Sequence, residues 1–184
     1  MLQEAYALKL RAHLTYVACA RKARLDKRRN AARLFTALVA SEAVHARSFK
    51  AALKELGLEP VRVAWPDVPA RDTSENLEAA AAAESAAVAK DIPALIARAR
   101  PEGLDAALMN LAQALESDKR HLSLLREAGG FSGRLAELFS GILERARLRL
   151  AVCDNCGYIA ATRPAVRCPA CNGPASAYHD PVTF

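Results

Sequence analysis

The chain has 184 residues, with 26 Lys+Arg against 20 Asp+Glu for a formal charge of +6, and is 52% apolar but only 5% aromatic. That balance excludes an intrinsically disordered chain, and the length suits one medium domain or one domain with a small module. No run approaches ~20 uninterrupted apolar residues, which excludes a transmembrane helix.

At the start, Glu4, Lys9 and Arg11 interrupt the stretch that a signal peptide would keep apolar. The expectation is a cytoplasmic chain. Residues 3–26 predict a helix, with Tyr6, Leu10, His13, Leu14, Val17 and Ala20 at helical spacing. Cys19 falls among these positions and reads as a buried thiol. A basic run, Arg21 to Arg29, follows, with a turn near Asp26 to Asn30. No aromatics interleave with it, so it reads as a solvated helix end and not as a nucleic-acid site.

A second helix, 30–57, carries Leu34, Leu38, Val44, Phe49 and Leu53 and stops at Gly57. Residues 58–72 hold three prolines and no periodicity, with Trp65 expected to pack against the helices. Extended, fifteen residues reach about 50 Å, more than the ~38 Å of a 25-residue helix. The segment can therefore run the length of a bundle and make the second and third helices parallel, as in ferritin-like folds. A third helix opens at Thr73 or Ser74 and runs towards Arg100, with Pro93 able to kink or split it. A fourth, 102–127, ends at Gly129-Gly130. Residues 131–150 predict a short linking helix and then a strand from Leu148 to Val152.

Two of these helices carry a carboxylate and a histidine three residues apart: Glu42 with His45, and Asp118 with His121. That spacing puts each pair on one helix face. Oxygen and imidazole donors together suit Fe, Mn or Zn. Glu84 lies in an almost pure alanine run and supplies a third carboxylate; an isolated acid buried there needs a cation. The first helix offers Glu4 and no further acid before Asp26. In the tail, Cys153-x-x-Cys156 and Cys168-x-x-Cys171 make a four-thiolate site for Fe or Zn. Such a short module has too little core to fold without its metal. Gly157 permits positive φ beside the sulfurs, and Pro169 stiffens the second turn.

The order of these motifs resembles rubrerythrin over nearly the whole chain. Arg11-Ala-His-Leu-Thr-Tyr16 is similar to that family's R-x-R-Y-T-Y, and Thr73-Ser-Glu-Asn-Leu77 to the start of its third helix. The resemblance implies a rubredoxin-like iron centre passing electrons to a non-haem di-iron site that reduces hydrogen peroxide. It also implies a homodimer, often head to tail, and a redox donor protein. By the same resemblance Glu42 and Asp118 bridge the irons, His45 and His121 are ligands, and Glu84 is a terminal carboxylate. The match departs at Asp118, a Glu in the family, and at Ala7 and Ala87, which stand where the family has glutamates. A second-shell tyrosine of the family falls on Leu14. One iron thus keeps its ligands, while the other keeps His45 and the bridges but loses its terminal carboxylates. Glu4, one turn before Ala7, is the one available substitute.

The reading is a mainly α chain. A ferritin-like four-helix bundle spans 1–130, a linker 131–150 and a rubredoxin-like four-Cys module 151–184. Its expected function is a non-haem iron oxidoreductase of peroxide defence, with Glu42, Glu84 and Asp118 at the reacting centre. One or two irons are expected in the bundle and one on the four cysteines, with zinc possible at either site. It is expected to bind no nucleic acid and no membrane. The alternative is a non-catalytic metal-binding protein with a structural zinc tail and a degenerate bundle site.

Overall fold

A computed structural model describes residues 1–69, 71–129 and 148–181. Helix α1 (Leu2–Leu25) and α2 (Arg29–Glu55) form an antiparallel hairpin. The turn between them closes α1 in a Schellman pattern: Arg28 N–H bonds to Ala23 O, Lys27 N–H bonds to Arg24 O, and Lys27 takes φ 59°. The same pattern ends α2, with Gly57 at φ 69° as its sequence position predicts. Residues 58–69 then run without regular structure, as expected of the crossover. Trp65 does not pack on the bundle; its side chain is 69% exposed, because the crossover holds itself to α1 through polar contacts instead. Gln3 donates to Glu59 O and accepts from Val61 N–H.

Helix α3 (Thr73–Ala86) starts at Thr73, one of the two expected positions. Asp72 is its N-cap and forms a reciprocal capping box with Glu75. A π-helical turn, Ala87–Asp91, carries the chain into α4 (Ile92–Ala99), and together they form one continuous rod. In that turn Ile92 N–H reaches back to Ala87 O. Pro93, which has no N–H to give, follows directly; the wider turn absorbs it without splitting the rod. Helix α5 (Asp105–Gly129) completes the bundle. The tail is a three-stranded antiparallel sheet ordered β2-β1-β3, from β1 (Ala151–Cys153), β2 (Ile159–Ala160) and β3 (Tyr178–His179). The strand entering the first knuckle thus begins three residues later than predicted, and the predicted linking helix lies outside the described residues.

Two apolar clusters fill the bundle. One gathers Tyr16, Phe35, Leu38 and Leu125 and includes Val152 and Ile159 of the tail. The other gathers Leu2, Phe49, Leu53, Ile92 and Leu111. Burial of this kind contributes about 25 cal/mol per Å² of apolar area. Between the clusters lies a layer of buried polar side chains: Lys9, Glu42, Glu84, Asp118 and His121. A charged layer inside a bundle is costly unless its members compensate one another or a metal. No helix among the described residues is long and apolar enough to cross a membrane.

Candidate metal centres

The four cysteines converge. Cys153 and Cys171 sulfurs lie 3.8 Å apart and those of Cys156 and Cys168 3.6 Å apart. A tetrahedral ion with bonds of about 2.3 Å to sulfur needs neighbouring sulfurs about 3.8 Å apart, so the donors fit one metal. The S–H of Cys156 beside it holds the Cys153 thiol down to about 5. Tyr178 Oη–H donates to Cys168 Sγ at 3.1 Å, a contact the sequence did not signal.

In the bundle, donor atoms of Glu42, Glu84, Asp118 and His121 all lie within 4.8 Å of one another, and all four residues are buried. Glu42 and Asp118 meet because their helices, α2 and α5, present the i, i+3 faces to the same layer. Glu84 arrives from α3, whose alanine neighbours let it approach closely. His121 Nδ1 is 3.2 Å from Glu84 Oε1 and 3.3 Å from Glu42 Oε1. Burial lowers its pKa, but Glu84 and Glu42 outweigh that and raise it to about 10. Its other nitrogen, Nε2, meets Ser41 Oγ at 2.8 Å. Burial pushes Asp118 up to about 7, against the pull of Lys9. Glu42 is held well below the usual carboxylate range; Lys9 and His45 overcome the opposing effect of its burial.

His45 stands apart from this group. Its Nδ1 lies 3.3 Å from Glu42 Oε2, but its Nε2 is 3.0 Å from the carbonyl oxygen of Cys156. A carbonyl only accepts, so Nε2 carries the hydrogen, and burial holds the ring's pKa below its usual value. A neutral ring protonated on Nε2 leaves a lone pair on Nδ1 facing a carboxylate oxygen, an arrangement that a cation between them relieves. The donor chemistry therefore fits a metal at this layer.

The residues expected from α1 do not serve. Glu4 is exposed and pairs with Arg98, so it does not replace the missing glutamate. Ala7 is buried and contributes no donor, and Ala87 opens the π turn. The α1 residue at the centre is Lys9, a residue the sequence reading used only against a signal peptide. Its side chain is 2% exposed, and its ammonium lies 2.6 Å from both oxygens of Asp118 and 3.4 Å from both of Glu42. Burial would lower its pKa, but Asp118, Glu42 and Glu84 raise it above the usual lysine range. The signal was present: Leu2, Ala5, Lys9, Tyr16, Cys19 and Ala23 form the buried line of α1. The bulkier line through Tyr6, Leu10, Leu14 and Val17, only half-buried, drew the periodicity to the wrong face. Tyr16 was likewise missed. Its Oη–H donates to Glu84 Oε1 at 2.7 Å, so a tyrosine does meet a carboxylate of the layer although Leu14 cannot. His13 spends its Nδ1 on Val39 O, away from the layer.

The four-Cys tail docks on this layer within the same chain. Ser41 Oγ–H donates to Gly157 O at 2.5 Å, and His45 Nε2–H to Cys156 O. Arg47 donates to Asp154 O and Arg120 to Ile159 O. Gly157 has φ 76°, and a Cβ there would lie 2.7 Å from His45 Nε2 and 2.9 Å from Ser41 Oγ. Glycine is required twice over, for the backbone conformation and for the approach.

The chain is similar to known proteins along nearly its whole length. The rubrerythrin family model matches residues 1–129. The rubrerythrin of Porphyromonas gingivalis is 30% identical over 183 residues, covering 97% of this chain and 86% of that one. Rubrerythrin-2 of Clostridium acetobutylicum is 25% identical over 170 residues, covering 92% and 89%. Among solved structures, the fully reduced, all-ferrous state of nigerythrin superposes with a TM-score of 0.82 at 27% identity, covering 97% of this chain and 84% of that one. Its mixed-valence state superposes with a TM-score of 0.79. By fold and by sequence, this chain belongs to the rubrerythrin family of non-haem iron oxidoreductases.

Proposed function

We propose that the protein reduces hydrogen peroxide in cytoplasmic oxidative-stress defence. The four cysteines would hold an iron that takes electrons from a redox donor protein, and Glu42, Glu84, Asp118 and His121 would hold the bundle metal that supplies them to peroxide. Each bound iron supplies one-electron redox chemistry, and two electrons with two protons turn one peroxide into two waters. The protein groups do the rest. The four thiolates set the tail centre, and His45 Nε2–H holds the Cys156 carbonyl while its Nδ1 faces Glu42. Tyr16 keeps a proton on Oη against Glu84, whose charge together with burial drives the phenol's pKa well above its usual value. The layer's full burial keeps bulk water from the carboxylates. The observation that carries this reading is the His45 Nε2–H bond to the Cys156 carbonyl, which seats the first cysteine knuckle beside the bundle layer.

The Lys9–Asp118 contact favours one other reading, a non-catalytic protein with structural zinc in the tail and a degenerate bundle site. One experiment separates them. The iron-loaded full chain is reduced without oxygen, and peroxide is added while the visible absorption of the four-Cys iron is followed. Rapid reoxidation that slows at least ~10-fold in Asp118→Ala is the expected result. A colourless zinc protein, or a red protein inert to peroxide, overturns the proposal. The family's homodimer is the expected assembly, and sedimentation of the full chain checks it.

A further inference from the structure

We infer that the Lys9 ammonium stands in for one of the two metal ions of a ferritin-like di-metal site, so that the bundle of this chain takes a single divalent metal. The inference rests on the reading that the bundle carboxylates bind iron, and deepens it by setting the number.

Position is the first argument. The ammonium sits between the carboxylates of Glu42 and Asp118, in contact with both oxygens of each. It comes from α1, the helix that in di-metal bundles supplies a carboxylate. A second metal bridging Glu42 and Asp118 would have to share Asp118 with a cation already 2.6 Å from both its oxygens. Charge is the second argument. A di-metal site of this fold brings four carboxylates, whose charge two divalent ions neutralise. Here three carboxylates face one ammonium, and with His121 as a neutral ligand three negative charges less one positive leave two, the charge of one divalent ion. Donor supply is the third. Glu42, Glu84, Asp118 and His121 form one cluster of mutually close donors. Beside Glu42 Oε2, His45 Nδ1 is the further donor among the described residues, and its opposite nitrogen is tied to the tail. The residues that remain make one complete site and one ammonium-filled position.

The test counts iron in the full chain reconstituted with ferrous iron under anaerobic conditions. Wild type is expected to hold two irons per chain, one on the four cysteines and one in the bundle. Three irons, with Mössbauer spectra of a coupled pair, overturn the inference and leave the peroxidase reading standing. One iron, with the four-Cys colour present, overturns both. Lys9→Glu supplies a fourth carboxylate and is expected to raise the total to three. A helical Lys9→Glu chain that still holds two overturns the inference. Should that variant not fold, metal-free Lys9→Met is compared with metal-free wild type. Removing the cation from three buried carboxylates is expected to lower the melting temperature by roughly 10 °C. An unchanged melt means that Lys9 compensates nothing and overturns the inference.

Discussion

Asp26 closes α1 and serves two helices at once. One oxygen lies 2.6 Å from Lys22 Nζ, and the other accepts from Thr73 N–H and Thr73 Oγ1–H at the first turn of α3. The N–H of a first-turn residue has no partner within its helix, so this bond joins the end of α1 to the start of α3. The Lys22 and Thr73 contacts hold the Asp26 carboxyl below its usual pKa. A depressed carboxyl contributes stability above its unfolded value of about 3.9, and that stability is lost as pH falls through the lower folded value. Asp26→Asn is expected to melt roughly 2–4 °C below wild type at pH 7. The two melting curves should converge once the pH falls below the carboxyl's lowered folded value. A gap that persists at acid pH would mean that the carboxylate charge is not what matters.

Residue by residue, the sequence was most informative where chemistry demands a fixed spacing. That both C-x-x-C pairs would meet, and Glu42, Glu84, Asp118 and His121 likewise, was legible because those spacings aim the side chains at common points. Lys9 and Tyr16 were not, because a lysine on an alanine-lined helix face looks solvated until three carboxylates on other helices are known to converge on it. His45 was legible as a residue of the layer, but its bond to Cys156 spans 111 positions. No local pattern encodes such a bond.

At the level of elements, helix positions followed periodicity and caps to within a few residues. The long crossover was legible from its prolines. The π turn was not: Ala87–Asp91 reads as ordinary helix, and only the tertiary path around Pro93 selects the wider turn. The docking of the tail sheet belongs to this scale too. A methyl group on residue 157 would lie 2.7 Å from His45 Nε2 and would require a positive φ that alanine disfavours. Gly157→Ala is therefore expected to keep four-Cys iron, since its sulfurs are untouched, while lifting the first knuckle from Ser41 and His45. Peroxide-driven reoxidation of the four-Cys iron should slow by about 10-fold or more, with the visible spectrum preserved. Unchanged reoxidation in a correctly loaded variant would show that the docked contact does not carry the electrons.

For the whole molecule, one metal in the bundle and one in the tail make a chain that stores two electrons. That is the number needed to reduce one peroxide. Titration of the fully reduced, iron-loaded chain with hydrogen peroxide is expected to end at about one equivalent per chain, because two one-electron centres are emptied together. A bundle with two irons would add a third electron and move the end point to about one and a half. The end point thus reads the number of metals through chemistry, independently of elemental analysis. The family resemblance was legible across both parts of the chain. The electron count was not, since it turns on Lys9.

The grip between bundle and tail has a further consequence. Ser41, His45, Arg47 and Arg120 all donate to main-chain carbonyls, those of Gly157, Cys156, Asp154 and Ile159. Every residue type carries a carbonyl, so this joint recognises the path of the tail's backbone and hardly its side chains. A foreign four-Cys ribbon with the same knuckle geometry and a glycine after its second cysteine would satisfy the same donors. The bundle face is in effect a generic socket, and exchanging the ribbon for one of different redox potential would retune the protein without redesigning the joint.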